Sequence, residues 1–278
     1  MKRYAFRILN VFAREGRLTG NPLCVFEDGA GLDDTAMQAL ARQFNLSETT
    51  FVLPSDKATS RVRIFTPSYE MPFAGHPTLG TAHVVRDLAS SGDSLTLEMK
   101  AGIIPVEAKG DRWTLQANPP KSRAEKLTGD ELAQILGLDP SDIAPAPMRV
   151  SIGREQLLVP VKSADAVRRA RPRADLFHRL GSDEGPGQAY VFADAGTTVE
   201  SRFFFTNGNA ILEDPATGSA CANLGGWFIA TRPGADIERT VSQGEMVSRP
   251  STLFLSVKAG VIRVSGNVIE LARGTLAL

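Results

Sequence analysis

His76-Pro77-Thr78-Leu79-Gly80-Thr81-Ala82 lays over Asp214-Pro215-Ala216-Thr217-Gly218-Ser219-Ala220 without a gap, and this self-similarity decides the fold. Pro, Gly and Ala coincide and Thr81 faces Ser219, at an offset of 138 residues in a chain of 278. The same register sets Phe65 on Phe203, each inside a stretch of strand composition that precedes its copy. A strand before and a helix after each copy, at a half-length offset, point to duplication: two related halves, each carrying one such helix.

Each copy places a polar residue, His76 or Asp214, ahead of a proline read as the first residue of a helix. There the fixed φ of proline suits the helix and its missing N–H has no partner to lose. Asp214 is also a favoured cap. Gly80 and Gly218 come early in their helices, where Gly costs about 1 kcal/mol relative to Ala, so their presence suggests a close approach of backbone or ligand. Both helices read as apolar nearly all round, through Leu79, Ala82, Val84, Val85 and Leu88 in one and Leu224, Trp227, Phe228 and Ile229 in the other. Such helices are buried along their length and present their N-termini, where free N–H donors and the positive dipole end suit a carboxylate. His-Pro and Asp-Pro are common helix openings, so taken singly each is more often a structural start than a catalyst.

Around the two copies the chain reads as short strands with few helices, which argues against a doubly wound sheet. In the first half, strand composition covers Tyr4–Phe12, Pro22–Phe26, Thr49–Leu53, Arg61–Thr66, Leu95–Met99, Ile103–Glu107 and Trp113–Gln116. A helix capped by Asp33 or Asp34 carries Met37, Leu40, Ala41 and Phe44 on one face. Asn118-Pro119-Pro120 is the linker candidate, dividing a first domain, 1–118, from a second, 121–264. Thr128 and Glu131 form a capping box for a helix ended by Gly137. Strands follow at Leu157–Val161, Gln188–Phe192, Ser201–Thr206, Leu253–Val257, Val261–Val264 and Val268–Leu271.

Composition narrows the function. Lys+Arg and Asp+Glu are 31 each, so net charge gives no reason to expect a nucleic acid or an anionic membrane as partner. The one basic cluster, Arg168–Arg173, reads as a solvated face. Cys24 and Cys221 have no metal-ligand or C-x-x-C spacing, which fits a reducing compartment without a disulfide framework. Arg7, Asn10 and Arg14 interrupt the N-terminal apolar runs before they reach signal-peptide length, and no stretch approaches the ~18 apolar residues of a membrane span. A soluble, cytoplasmic protein is the expectation. With only three histidines and no G-x-G-x-x-G, P-loop or H-E-x-x-H, neither a cofactor nor a metal is expected.

Glu48 stands in Leu46-Ser47-Glu48-Thr49-Thr50-Phe51-Val52, where a helix gives way to a strand. A carboxylate beside so apolar a run is open to partial desolvation, which favours proton transfer near neutrality. A solvent-facing loop glutamate is the plainer reading of its position alone.

Thr19-Gly20-Asn21-Pro22, Ser47-Glu48-Thr49, Phe73-Ala74-Gly75-His76-Pro77-Thr78 and Glu213-Asp214-Pro215-Ala216-Thr217-Gly218-Ser219-Ala220 together resemble the PhzF family of phenazine-biosynthesis isomerases. The resemblance spans nearly the whole chain. It implies an α+β, diaminopimelate-epimerase-like fold: two similar halves, each a curled, mainly antiparallel sheet around a central helix. The site is expected in the cleft between the halves, with the C-terminal segment, about 265–278, returning to the first. By resemblance Glu48 matches the acid/base glutamate, and His76 and Asp214 match catalytic polar residues. Ser219, Gly75, Gly218 and Asn21 fall at substrate-contacting positions. The family's founding activity isomerises trans-2,3-dihydro-3-hydroxyanthranilate without a cofactor, so a small carboxylate substrate is implied. Homodimers are common among relatives. Racemases of the wider superfamily use two facing cysteines. Here Ala74 precedes Gly75 and the second position reads as Ala216, so a two-thiol racemase is not indicated. A hydrolase built from Ser219, His76 and Asp214 lacks a G-x-S-x-G elbow. A related isomerase acting on another acid, or a non-catalytic acid-binding protein, are the remaining alternatives.

Overall fold

The computed structural model describes residues 1–182, 185–208 and 210–278. The chain divides into two compact units, Met1–Gln116 with Ser265–Leu278, and Ala117–Val264.

The first unit runs β1 (Arg3–Val11), β2 (Asn21–Phe26), α1 (Asp34–Phe44), β3 (Glu48–Leu53), β4 (Ser60–Phe65), β5 (Glu70–Met71), α2 (Gly75–Leu88), β6 (Ser94–Met99), β7 (Gly102–Lys109) and β8 (Arg112–Gln116). β1–β2 and β3–β4 are antiparallel, β2–β3 and β4–β6 parallel, and β6–β7–β8 antiparallel, with β5 attached to β4. The last strand of the chain, Val261–Ala277, pairs with both β1 and β8 and closes an eight-stranded barrel. α2 packs against β1, β2, β3, β4, β6 and β8, and its residues from His76 to Ala82 are all buried.

Period-two alternation sends successive side chains of β2 to opposite faces, and both faces are covered. Leu23 of β2 faces α2 so closely that a Cβ on Gly80 would stand 2.5 Å from Leu23 Cδ2. This packing, within the unit itself, accounts for the early helical glycine. On the opposite face Cys24 and Phe26 join Tyr4, Phe51, Phe65 and the α1 residues Met37, Leu40 and Ala41 in one core, with Phe26 stacked on Phe51 at 4.9 Å. Asp33 caps α1 by accepting from the Ala36 N–H at 2.8 Å.

Ahead of β2, Gly20 adopts φ +79°, and a Cβ there would lie 2.6 Å from Val11 O and 2.9 Å from Ala13 Cα. Rigid backbone cannot yield as a side-chain tip can. Gly20→Ala is therefore expected to cost at least about 2 kcal/mol, combining positive-φ strain with overpacking, as read from the urea midpoint.

The second unit contains β9 (Lys121–Ala124), α3 (Gly129–Leu136), β10 (Met148–Ser151), β11 (Glu155–Pro160), α4 (Ala164–Arg169), α5 (Ala174–Phe177), β12 (Gln188–Asp194), β13 (Thr198–Asn207), β14 (Ala210–Asp214), α6 (Gly218–Thr231), β15 (Ile237–Gln243), β16 (Ser251–Lys258) and the start of the last strand, β17 (Val261–Ala277). β10–β11 is antiparallel, β11–β12 parallel, β12–β13–β14 antiparallel, β13–β15 parallel and β15–β16 antiparallel. That sequence of pairings repeats β1 to β7 step for step, and β9 flanks β10 as β17 flanks β1. α6 packs against β9, β10, β11, β15 and β16, and Ala220–Phe228 are all buried. The other sheet face carries Leu157, Val159, Ala189, Val191 and Phe204, covered by residues of α3, α4 and α5.

Several expectations need correction. α2 begins at Gly75, which makes Pro77 its third residue, and α6 begins at Gly218, which leaves Pro215 outside. The caps are Ala74 and Thr217, neither making a side-chain cap bond, and Asp214 ends β14 instead of capping. No single gapless register relates the copies. Phe65 pairs with Glu70, whereas Phe203 pairs with Asp214, so the second hairpin is longer and the helix starts are displaced further than the strands. β17 is one continuous strand where two were expected, because Gly266 lets the Phe12 ring lie where a side chain would be (2.2 Å from an ideal Cβ). Leu88 closes α2 at 44% exposure, outside the buried stretch. β9, β10, β14 and β15 had not been anticipated. β9 is exposed throughout, and an edge segment without apolar alternation leaves no period-two signal.

Candidate active site

β3 begins at Glu48, and parity sets Glu48 and Thr50 on the face opposite Phe51. Thr50 Oγ1 lies 2.8 Å from Thr81 Oγ1 on α2, so this face meets the central helix. One turn toward the start of α2, His76 Nε2 lies 3.4 Å from Glu48 Oε2, with the two side chains 7% and 15% exposed. Glu48 is thus a sheltered strand residue and not a solvent-facing loop glutamate. Asn21, fully buried at the start of β2, accepts from the Ser47 hydroxyl at 3.2 Å and so braces the residue beside Glu48. Gly75 opens the first turn of α2 and is partly exposed.

The environment of His76 sets its chemistry. Burial lowers its pKa to about 3, against the opposing pull of a hydrogen bond to the Pro22 carbonyl. Among the described residues Nε2 has no hydrogen-bond partner, so Nδ1–H is assigned the bond to Pro22 and the Nε2 lone pair is left toward the Glu48 carboxyl. A neutral imidazole in this tautomer can accept a proton-sharing bond from the acid form of Glu48. The linkage follows in sign. The folded pKa of His76 lies below the unfolded value near 6.5, so the unfolded chain takes up the proton first. This residue's contribution to stability is whole above pH 6.5 and declines as pH falls toward 3. His76→Gln is expected to flatten the fall of unfolding free energy between pH 6.5 and 4 by up to about 1.4 kcal/mol per pH unit. Urea titrations at a series of pH values measure it, and equal slopes for both proteins would refute the neutral buried imidazole.

In the second unit, parity along β14 sends Glu213 and Asp214 to opposite faces. Glu213 is taken by Arg202 at 2.6 Å. Asp214 Oδ2 accepts from the Thr217 hydroxyl at 2.5 Å. Gln243, 1% exposed, ties the turn together: its Nε2 donates to Asp214 O at 2.8 Å and to Thr217 Oγ1 at 3.0 Å, and its Oε1 accepts from Thr217 N at 3.3 Å. Ser219 is the second residue of α6, partly exposed, and its Oγ accepts from Gln156 Nε2 at 3.1 Å. Asp214 and Ser219 thus flank the opening of α6, with Gly218 between them in sequence. Gln243, Thr217 and Gln156 were missed from the sequence. The available signal was a glutamine at the edge of an otherwise apolar strand, as in Gln156-Leu157-Leu158-Val159.

The residues that precede the helical Gly75 and Gly218 are Ala74 and Thr217, so Thr217, and not Ala216, holds the second of these places. Cys24 and Cys221 are buried free thiols, and burial raises both pKa values far from the thiolate range. Among the described residues no group of three or more His, Cys, Asp or Glu could hold a metal ion. Among the described residues no helix is long and apolar enough to cross a membrane.

Comparison with known proteins gives the class. The chain is 37% identical to an uncharacterized isomerase of Pasteurella multocida, over 98% of this chain and 94% of the relative. It is 34% identical to the trans-2,3-dihydro-3-hydroxyanthranilate isomerase of Pseudomonas chlororaphis, over 98% of each. The crystal structure of a PhzF-family phenazine biosynthesis protein from Bacillus anthracis superposes with a TM-score of 0.86 at 25% identity, covering all of both chains. A probable proline racemase from Agrobacterium radiobacter shares the fold, at a TM-score of 0.64 and 13% identity over 99% of this chain and 93% of that one. The chain therefore shares its α+β fold with PhzF-family and proline-racemase-like structures. The PhzC-PhzF model, phenazine biosynthesis-like protein, matches residues 9–274, and the chain belongs to this family of isomerases.

Proposed function

We propose that the protein moves a proton between two carbons of a small cyclic or unsaturated carboxylic acid, with Glu48 as the acid/base. The observation that carries this reading is the Glu48 carboxyl held 3.4 Å from the lone pair of a neutral, buried imidazole, in a chain of the isomerase family. Glu48 as carboxylate takes a proton from one carbon, and the electron pair left behind delocalises into the adjoining unsaturation. Glu48 as acid then returns the proton to another carbon, so charge and electrons balance without an external oxidant or reductant. Meanwhile His76 Nε2 accepts from the protonated Glu48 and fixes the orientation of the acid form. Asp214 is assigned to accept from an amino or hydroxyl group of the substrate. Ser219 and the first-turn amides at Gly75 and Gly218 bind its carboxylate. Asn21 holds Ser47 and with it the start of β3.

The first substrate to test is trans-2,3-dihydro-3-hydroxyanthranilate, on which relatives at 34% identity are named to act. For that acid the product of proton transfer is an enol that becomes a ketone. Incubation in heavy water, followed by proton NMR, is expected to show consumption of the substrate with deuterium gained at a ring carbon. No consumption and no exchange at micromolar enzyme would remove this acid. The same wash-in assay on other small unsaturated amino and hydroxy acids then identifies its replacement. The two buried, unpaired cysteines suit a reducing compartment, and the cytoplasm is the proposed location.

A further inference from the structure

Gln156 of β11 and Asn223 of α6 are 3% and 0% exposed, an uncommon place for two amides unless each hydrogen bond is used. The backbone N–H of Ile152 donates to Asn223 Oδ1 at 3.0 Å, and Asn223 Nδ2 donates to Arg154 O at 3.2 Å. A backbone N–H can only donate and a carbonyl can only accept, so these two bonds fix which end of the Asn223 amide is oxygen. Asn223 Nδ2 also donates to Gln156 Oε1 at 2.8 Å, which fixes the Gln156 amide in turn and points its NH2 at Ser219 Oγ, 3.1 Å away. Ser219 must therefore accept from Gln156, and its own proton has to be directed elsewhere. The residue is partly exposed, which leaves that proton open to a bound ligand.

We infer that Gln156 and Asn223 are positioning residues: a relay of one polarity, anchored on the Ile152 backbone N–H, commits the Ser219 hydroxyl to donate to an anionic oxygen of the substrate. The inference rests on the reading of Ser219 as a substrate contact. It accounts for two amides buried in an otherwise apolar packing region, and it leaves the Ser219 proton to be donated to a carboxylate. Reversal of the relay is the discriminating perturbation. In Gln156→Glu both oxygens of the new side chain only accept, so the Ser219 proton turns inward. In Asn223→Asp the carboxylate faces Gln156, the Gln156 amide inverts, and its oxygen again draws the Ser219 proton inward, with no change at Gln156 itself.

Calorimetric binding of 2-aminobenzoate is measured for the wild type, Gln156→Glu, Ser219→Ala and the double variant. The expected result is a loss of at least tenfold for Gln156→Glu in the presence of Ser219, and of less than threefold in the Ser219→Ala background. A like factor in both backgrounds would mean that charge or packing alone is felt and would overturn the relay while leaving the role of Ser219 intact. Unchanged affinity in Ser219→Ala would overturn the substrate contact and the relay with it. Asn223→Asp gives the same comparison should Gln156→Glu fail to fold. Neutron diffraction from crystals grown in heavy water reads the same point without a ligand. A deuteron on Ser219 directed away from Gln156 is expected, and one lying between Ser219 and Gln156 Oε1 refutes the proposal.

Discussion

Glu48→Gln is expected to lower kcat by roughly 10²–10⁴-fold, the range that a single general acid/base supplies, with little change in KM or in the unfolding midpoint. The substitution is nearly isosteric. Its amide can still donate to His76 Nε2 from the place of Oε2, 3.4 Å away, so the β3–α2 contact survives while the ability to take up a proton is lost. Deuterium wash-in should fall by the same factor as turnover, because both pass through the same transfer. His76→Gln makes the informative contrast. It leaves the Glu48 carboxyl in place and removes only the acceptor that orients its acid form, so a smaller loss of kcat is expected there. Wild-type exchange in Glu48→Gln would remove this residue from the chemistry. A loss in His76→Gln exceeding that in Glu48→Gln would transfer the proton-carrying role to the imidazole.

Which parts of this arrangement were legible beforehand follows from how local their causes are. α1 was readable because Asp33, Met37, Leu40 and Ala41 write both cap and buried stripe within one segment. α3 was readable because Thr128 and Glu131 form a capping box and Gly137 takes the left-handed C-cap. The starts of α2 and α6 were misplaced for the complementary reason. Ala74 has no side chain to cap with, and the Thr217 hydroxyl is directed to Asp214, so capping chemistry is absent from the places where these helices begin. The prolines, and Asp214 read as a cap, are the local signals, and they lie elsewhere. In the site, Glu48 was marked by the apolar run that follows it, but its pairing with His76 is a contact across 28 residues that no spacing encodes. The relay through Gln156 and Asn223 joins residues 67 apart and is likewise a product of tertiary packing. The seven matched residues do not superpose, since Pro77 lies inside α2 and Pro215 outside α6; the order of strand pairings carries the repeat, and the extra length sits in the β13–β14 hairpin.

That hairpin also carries the charge on which Asp214 depends for its position, and Arg202→Met is expected to destabilise the protein by about 3–5 kcal/mol. Arg202 and Glu213 are 8% and 9% exposed and form a two-pronged pair, with Nη2–Oε2 at 2.6 Å and Nε–Oε1 at 3.1 Å. The third nitrogen of the guanidinium, Nη1, reaches the end of α4, donating to Ala170 O at 2.7 Å, Arg168 O at 3.2 Å and Val167 O at 3.3 Å. One cation thus neutralises a buried carboxylate and satisfies carbonyls that a helix end leaves open. Methionine retains much of the apolar stem that fills the space but strands Glu213 without a cation, and this stranded charge is the larger part of the cost. Arg202→Met combined with Glu213→Leu removes both charges together and should recover much of the stability, leaving chiefly the loss of the α4 contacts. Urea unfolding of the two single variants and the double variant measures the coupling. Additive losses would show that Arg202 and Glu213 act independently. A coupled result should have a functional counterpart: in Arg202→Met the shift of β14 carries Asp214 with it and raises KM, and the double variant brings KM back toward the wild type as it restores the strand.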